Sequence, residues 1–142
     1  MATNEITIRQ ATLEDVADLE RVRGLVRENR LSAPIPRERV VAALEERGRG
    51  WVAEHEGEVV GFSFADEPEP SIWAVFLLPQ WEGRGLGRRL LDEAVGWLRS
   101  RGHATIWLST GPGTRAEGFY ERLGWERTGL TPSGEVRFEL RG

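Results

Sequence analysis

The sequence lacks several residue types, and each absence narrows the possible chemistry. It contains no cysteine and no lysine, and it has a single tyrosine, Tyr120. Without cysteine there can be no disulfide, thiolate metal site or cysteine nucleophile. The two histidines, His55 and His103, lack the spacing of metal ligands, so no metal site is predicted. No apolar run approaches membrane length and no signal segment opens the chain, which predicts a cytoplasmic protein without a membrane partner.

The charge balance argues against nucleic acid as a partner. The 142 residues include 19 basic and 23 acidic ones, which gives a net charge of -4. A protein that binds nucleic acid needs a basic face. Positive charge is concentrated only locally, at Arg84, Arg88 and Arg89. The length fits one domain with a single core, covering residues 1–142.

An apolar run, a glycine string and a helical pattern follow one another in the middle of the chain. Residues 72–78 are all apolar, which favours a strand covered on both faces. Residues 83–87 read Gly-Arg-Gly-Leu-Gly, and apolar residues then recur at helical spacing through residues 86–98. Unpaired N–H groups at a helix start attract anions, and glycines leave these groups accessible. The pattern therefore predicts a pyrophosphate-binding loop.

The rest of the chain alternates strands and helices in the order β-α-α-β-β-β-α-β-α-β-β. Strands are predicted at residues 6–9, 51–54, 59–64, 72–78, 104–109, 125–128 and 135–140. Helices are predicted at residues 13–26, from near Pro36 to Gly48, at 86–98 and at 115–123, with a buried first-helix stripe of Leu13, Val16, Leu19, Val22 and Val26. Capping boxes, Thr12 with Asp15 and Thr114 with Glu117, are predicted to open the first and last helices. This order predicts an α/β (α+β) fold with a mixed six- to seven-stranded central sheet flanked by four helices. The strand–helix–strand unit around the glycine string requires parallel pairing and a right-handed crossover.

Two segments resemble signatures of one enzyme family. Residues 82–87, Glu-Gly-Arg-Gly-Leu-Gly, resemble motif A of the GNAT superfamily of N-acyltransferases, Gln/Arg-x-x-Gly-x-Gly/Ala, with Glu82 departing at the first position. Residues 119–125, Phe-Tyr-Glu-Arg-Leu-Gly-Trp, are similar to the family's second signature, a helix ending in Phe-Tyr-x-x-x-Gly-Phe. The order of elements is also that of the GNAT fold. The resemblance implies an N-acetyltransferase that moves an acetyl group from acetyl-CoA to a primary amine by direct attack in a ternary complex.

The resemblance also implies how acetyl-CoA is bound. In the family, main-chain amides of the glycine loop hold the pyrophosphate, and the pantetheine arm bonds to the backbone of the central strand. One N–H of that strand is expected to hold the oxyanion that forms during acyl transfer. The residues implied to bind coenzyme A are Val75, Phe76, Leu77, Glu82, Gly83, Arg84, Gly85, Leu86, Gly87 and Arg88.

The family resemblance implies a catalytic acid but leaves the catalytic base open. The family tyrosine that matches Tyr120 protonates the departing thiolate, so Tyr120 is the expected acid. An attacking amine must be neutral and therefore needs a base. Many family members place a glutamate where this chain has Ser71, so the base stays open between Glu67 and Glu69, with His55 a weaker candidate. Ser109 and Thr110 could suggest a nucleophile, but no motif ties an acid or histidine to them.

Two other functions compete with an amine-acetylating enzyme. A non-catalytic acyl-CoA-binding regulatory module would explain Ser71 and Gly113, which replace a glutamate and an asparagine common in the family. A dinucleotide-binding Rossmann domain is a poor match, because Arg88 stands at the last glycine of G-x-G-x-x-G. That interpretation predicts no antiparallel strands at the end of the chain. A monomer or a homodimer is expected, and the sequence leaves the acceptor unidentified.

Overall fold

A computed structural model of the chain describes residues 6–25, 37–67 and 69–141. The strands are β1 (Thr7–Gln10), β2 (Gly48–His55), β3 (Glu58–Asp66), β4 (Ser71–Leu77), β5 (Thr105–Thr110), β6 (Glu126–Leu130) and β7 (Val136–Arg141). The helices are α1 (Val16–Leu25), α2 (Arg37–Ala42), which continues as a π-helical turn (Ala43–Arg47), α3 (Leu86–Ser100) and α4 (Arg115–Arg122). Single 3-10 turns lie at Leu13–Asp15 and Pro79–Trp81.

The seven strands form one mixed sheet in the order β1-β2-β3-β4-β5-β7-β6. Only β4 and β5 pair in parallel, and the other neighbours are antiparallel. The predicted mixed sheet with four helices is thereby confirmed. The antiparallel strands β6 and β7 rule out the Rossmann interpretation. No helix in the described parts of the chain is long and apolar enough to cross a membrane.

Helix α3 lies close against the middle of the sheet because β3 presents small residues to it. Gly61 has no room for a side chain, since a Cβ there would come within 2.9 Å of the Phe76 carbonyl oxygen and 3.3 Å of the Leu90 side chain on α3. The Ser63 hydroxyl donates a hydrogen bond to the carbonyl of Leu90 on α3 over 2.9 Å. Leu90 is fully buried, and burying a leucine contributes about 1.5–3 kcal/mol. The helix that carries the glycine loop at its start is therefore held firmly.

The helices divide between the two faces of the sheet. Helix α4 shares the face of α3, because the Phe119 ring on α4 lies 3.5 Å from the position of a Cβ at Gly87 on α3. Helix α1 packs on β3 and β4. It covers the opposite face, because Asp15 directly before it pairs with Arg9, whose strand position is level with Phe62 on the side away from α3. We call these two sides the α3 face and the α1 face.

Two local predictions differ from the structure. Leu13 is 47% exposed and lies in the 3-10 turn before α1, whereas Val16, Leu19 and Val22 are buried as predicted; Val26 lies outside the described residues. Asp15 accepts a hydrogen bond from the Thr12 amide, so the first capping box forms on this short turn. The second capping box does not form. The hydroxyl of Thr114 donates to the Gly111 carbonyl, and Glu117 accepts from the Gly113 amide, because the preceding loop folds back onto both side chains.

Candidate active site

The sheet opens between its two parallel strands. Strands β4 and β5 pair at one position, Ser71 with Trp107, and the Trp107 amide donates to the Pro70 carbonyl. Beyond this point toward the C-terminal ends of both strands, no further pair joins them in the described chain. The opening, which we call the split, therefore leaves main-chain groups of β4 without a neighbouring strand.

The register of β3 and β4 decides which main-chain groups face the split. The Leu78 amide donates to the Val60 carbonyl over 2.9 Å. Antiparallel strands alternate between hydrogen-bonded and non-bonded pairs, so Phe76 bonds toward β3. Val75 and Leu77 therefore direct their N–H and C=O groups into the split. Of the three strand residues implied to bind coenzyme A, these two have suitable main-chain groups, while the Phe76 side chain lies on the α1 face beside Phe62.

The glycine loop follows β4 and leads into α3. Gly83 and Gly85 have positive φ values of 77° and 79°, which favour glycine, and no atom lies within 4 Å of a Cβ built on either. Gly85 is the N-terminal cap of α3. The main-chain N–H groups of residues 83–88 donate to no acceptor within the described ranges. The loop thus exposes unpaired donors at a helix start, as an anion site requires.

Cations lie beside these donors. The Arg84 guanidinium carbon is 4.8 Å from the centre of the Trp81 ring, and Trp81 also packs on His55 with ring centres 4.7 Å apart. Arg88 is exposed, and among the residues that the structure describes its ion pair is a long one with Asp92, 3.9 Å. Guanidinium groups and main-chain N–H groups are both suited to phosphate oxygens. The donor set therefore fits the diphosphate of coenzyme A.

Glu82, at the departing position of the loop motif, is paired across to α4. Its carboxylate lies 2.7 Å from the Arg115 guanidinium. The ion pair joins the glycine loop to the first residue of α4 and neutralises the acid locally. Glu82 therefore does not leave an isolated negative charge beside the phosphate-binding donors.

Tyr120 lies on α4 in an aromatic pocket on the α3 face. Its ring centre is 5.2, 5.8 and 5.9 Å from those of Phe119, Trp125 and Phe138. The residue is only 7% exposed, and burial raises the pKa of its phenol well above the usual value. In the described part of the chain, its hydroxyl has no hydrogen-bond partner. Because its raised pKa keeps the phenol protonated, its O–H is available to a sulfur placed beside it.

The two glutamates predicted as base candidates lie at the other end of β4. Glu67 is 2.6 Å from Arg101 and 2.5 Å from His103. Desolvation disfavours its charged form, but the hydrogen bonds from these two partners outweigh it and lower the pKa of Glu67. Glu69 is exposed on the turn before β4. It precedes Val75 by six residues, roughly 20 Å of extended chain at ~3.3 Å per residue. The structure brings neither to the split.

A different carboxylate lies near the split, and no motif in the sequence indicated it. The Ser109 hydroxyl at the end of β5 donates a hydrogen bond to Glu135 over 3.0 Å. The two residues are 26 positions apart and meet only because β7 pairs with β5. No local motif encodes such a contact. Only the correct placement of β7 beside β5 would have found it.

Comparisons with known proteins agree with this geometry. The sequence matches the Acetyltransferase (GNAT) family over residues 13–125. The fold closely resembles the crystal structure of a PaiA N-acetyltransferase from Thermoplasma acidophilum in complex with coenzyme A, with a TM-score of 0.82. The two share 16% sequence identity, and the match covers 97% of this chain and 99% of the other. At that identity the likeness concerns the fold.

Two relatives have named activities. A 5-NmdU N-acetyltransferase of Pseudomonas phage PaMx11 is 33% identical over 94 residues, 61% of this chain and 65% of the relative. The ribosomal protein bS18-alanine N-acetyltransferase of Haemophilus influenzae is 25% identical over 75 residues, 51% of each chain. The matches therefore span between half and two thirds of the length of these relatives.

Proposed function

Because this chain belongs to the acetyltransferase (GNAT) family, we propose that it transfers an acetyl group from acetyl-CoA to the primary amine of an acceptor. The observation that carries the proposal is that unpaired main-chain donors at the start of α3 lie at the same end of the sheet as the split. Tyr120 lies on the same face, on α4. This combination suits a long anionic thioester whose reacting end must reach into a sheet.

Each group of residues has a separate task in this proposal. The N–H groups of residues 83–88, with Arg84 and Arg88, bind the diphosphate. The main-chain groups of Val75 and Leu77 bond to the pantetheine arm as an added strand would, and one N–H polarises the thioester carbonyl. When bound, acetyl-CoA supplies an activated acetyl group. Tyr120 gives its proton to the sulfur as the bond to the acetyl carbon breaks.

The acceptor enters from the α1 face, because the α3 face at the split is taken by the glycine loop, α3 and α4. The named relatives act on a protein alanine and on 5-NmdU, and an amine on either a peptide or a small molecule is compatible with our proposal. Transfer occurs directly in a ternary complex. We also retain, as proposals, a cytoplasmic location and a monomeric or homodimeric protein.

Release of free thiol from acetyl-CoA tests the proposal. The protein is mixed with acetyl-CoA and a panel of ethylamine, spermidine and a peptide with a free N-terminal alanine, and thiol is followed with a colorimetric reagent. Amine-dependent release above the uncatalysed rate, with the acetylated amine found by mass spectrometry, supports acetyl transfer. No release with any amine contradicts it.

A non-catalytic acyl-CoA-binding module remains the second candidate. Ser71, where the family resemblance implies a glutamate, is buried and 8% exposed. Its hydroxyl cannot act as a base at neutral pH. Tight binding of coenzyme A without thiol release on any amine of the panel would favour the module over the enzyme.

A further inference from the structure

The strand register brings Glu135 level with the part of β4 that faces the split. Ser71 pairs with Trp107, so Val75, four residues on, is level with Gly111. Thr110 pairs with Val136, so Gly111 is also level with Glu135. Glu135 is fixed there because its amide donates to the Thr131 hydroxyl and its carbonyl accepts from the Thr131 amide. A carboxylate thus lies across the split from the main chain of Val75.

Glu135 and Tyr120 lie on opposite faces of the sheet. Phe138 packs against Tyr120 and therefore marks the α3 face of β7. Side chains alternate along a strand, so Glu135, three residues before Phe138, is on the α1 face. Ser109, whose hydroxyl bonds to Glu135, is on the same face, since its neighbour Leu108 pairs with Phe138. An acyl group held in the split would have the phenol on one side and the carboxylate on the other.

Among the described residues Glu135 has no ion pair, and the cation two positions along β7 is engaged elsewhere. The Arg137 guanidinium lies over the Trp107 ring, 4.4 Å from its centre, and its Nε is 3.4 Å from Glu139. Glu139 is also 3.8 Å from Arg141. Within the described residues, the charged side chains on this face of β6, β7 and the turn between them are Glu126, Glu135, Arg137, Glu139 and Arg141. Strand β5 contributes the uncharged Trp107 and Ser109. Of the three glutamates on this face, Glu135 is thus the one whose carboxylate is hydrogen-bonded beside the split.

We infer that Glu135 is the base that takes a proton from the acceptor ammonium, and that Ser109 positions its carboxylate. This inference rests on the acetyl transfer proposed above. It assigns the base to a carboxylate on the edge of β7 instead of to Glu67 or Glu69. It also selects acceptors that arrive as cations, because an anionic side chain at the entrance attracts an ammonium group.

The proton and bond balance is complete without another reactant. Glu135 takes one proton from the ammonium and leaves a neutral amine. The nitrogen lone pair forms the C–N bond to the acetyl carbon, and the C–S bond breaks with its electron pair passing to sulfur. Tyr120 protonates the sulfur, and the second proton lost by the nitrogen restores the phenol. Glu135 then releases its proton to water, so each transfer yields one amide, one thiol and one proton.

Two nucleophiles that differ in protonation separate this role from a structural one. Alkylamines, with a pKa near that of lysine, about 10.4, are protonated at neutral pH, whereas hydroxylamine is largely neutral. In Glu135→Gln, thiol release with the more active of ethylamine and spermidine should fall about 100-fold, while release with hydroxylamine stays within about threefold. The residual alkylamine rate should rise with pH as free amine accumulates.

Matched variants control for folding and for charge. Glu139→Gln removes a carboxylate from the same face of the same strand, level with Trp107 instead of the split, and should leave both rates unchanged. Ser109→Ala should lower the alkylamine rate about fivefold, the usual worth of one hydrogen bond, and Ser109→Thr should restore it. Melting temperature and coenzyme A affinity are measured for every variant.

The outcomes distinguish this inference from the function on which it rests. If the wild type releases thiol and Glu135→Gln leaves the alkylamine rate unchanged, or lowers both rates equally, Glu135 is not the base, although the chain is an acetyltransferase. If the wild type turns over neither kind of nucleophile, acetyl transfer itself is contradicted and the inference fails with it.

Discussion

The glycine loop and the Ser109–Glu135 pair are built in opposite ways, although both border the same split. The loop takes its chemistry from consecutive main-chain N–H groups and from the lack of side chains at Gly83 and Gly85. The pair takes its chemistry from two side chains that are 26 positions apart and meet through strand pairing. A site made of local backbone can be recognised in a sequence, and a site made by tertiary register cannot.

The largest expected effect is at Tyr120, where the proposed chemistry depends on one side chain instead of on main-chain groups. Tyr120→Phe removes one oxygen and should reduce thiol release about 100-fold, because the leaving sulfur loses its proton donor. Coenzyme A affinity should stay the same. The melting temperature should not fall, since the hydroxyl has no partner among the described residues. Wild-type turnover in this variant would remove Tyr120 from the mechanism.

The role of the main-chain N–H groups in the glycine loop is tested at Gly85. Gly85→Ala imposes a side chain on a residue with φ of 79°, at a cost of about 1–2 kcal/mol, and crowds the N–H groups. Coenzyme A should bind roughly 10-fold more weakly by calorimetry. Gly96→Ala is the matched control, because Gly96 is exposed inside α3 and has open space around its Cα. That change should leave binding intact and stabilise the fold by about 0.5–1 kcal/mol.

A smaller effect is expected at the ion pair between Glu82 and Arg115, where side chains join the glycine loop to α4. Glu82→Gln removes an acid beside the phosphate-binding donors. Coenzyme A should bind about threefold more tightly, with the gain disappearing at high salt. Glu93→Gln makes the same charge change on an exposed part of α3 and should have no such effect. Weaker binding in Glu82→Gln would mean that the carboxylate itself supports the loop.

The smallest effect is expected at Glu67, which the sequence suggested as a base. We expect its ion pairs with Arg101 and His103 to serve stability and not turnover, so Glu67→Gln should keep turnover within about twofold. Because its pKa is lowered in the folded state, the ionised carboxyl adds stability above its unfolded value of about 4.3. That contribution is lost as the pH falls through the lower folded value. The wild type should therefore melt slightly above the variant at neutral pH and equally with it in acid.

The sequence predicted the fold because most of its information is local. Apolar runs and helical spacing located β4 and α3, and the glycine string located the loop between them. The position of β7 between β5 and β6 was not predicted, since strand order depends on contacts between distant segments. Leu13 was expected to be buried because it fits the helical spacing, but the chain forms a 3-10 turn there.

The candidate site also contains residues that the local sequence indicates and a residue that it does not. The loop residues and Tyr120 lie in segments whose local sequence resembles known signatures, and the structure brings them to one face of the sheet. The base could not be found by motif. Glu67 is next to the expected position in sequence but is held by Arg101 at the end of β4 away from the split, and Glu135 is remote in sequence but level with Val75.

The central claim is that the free N–H groups at the start of α3 hold the diphosphate of coenzyme A. Its most direct test is a titration of the ¹⁵N-labelled protein with coenzyme A, followed through the amide signals of Gly83, Gly85 and Gly87. We predict that these signals move downfield and saturate together, while that of Gly96 stays in place. Unchanged signals from all three glycines at saturating coenzyme A would contradict the account.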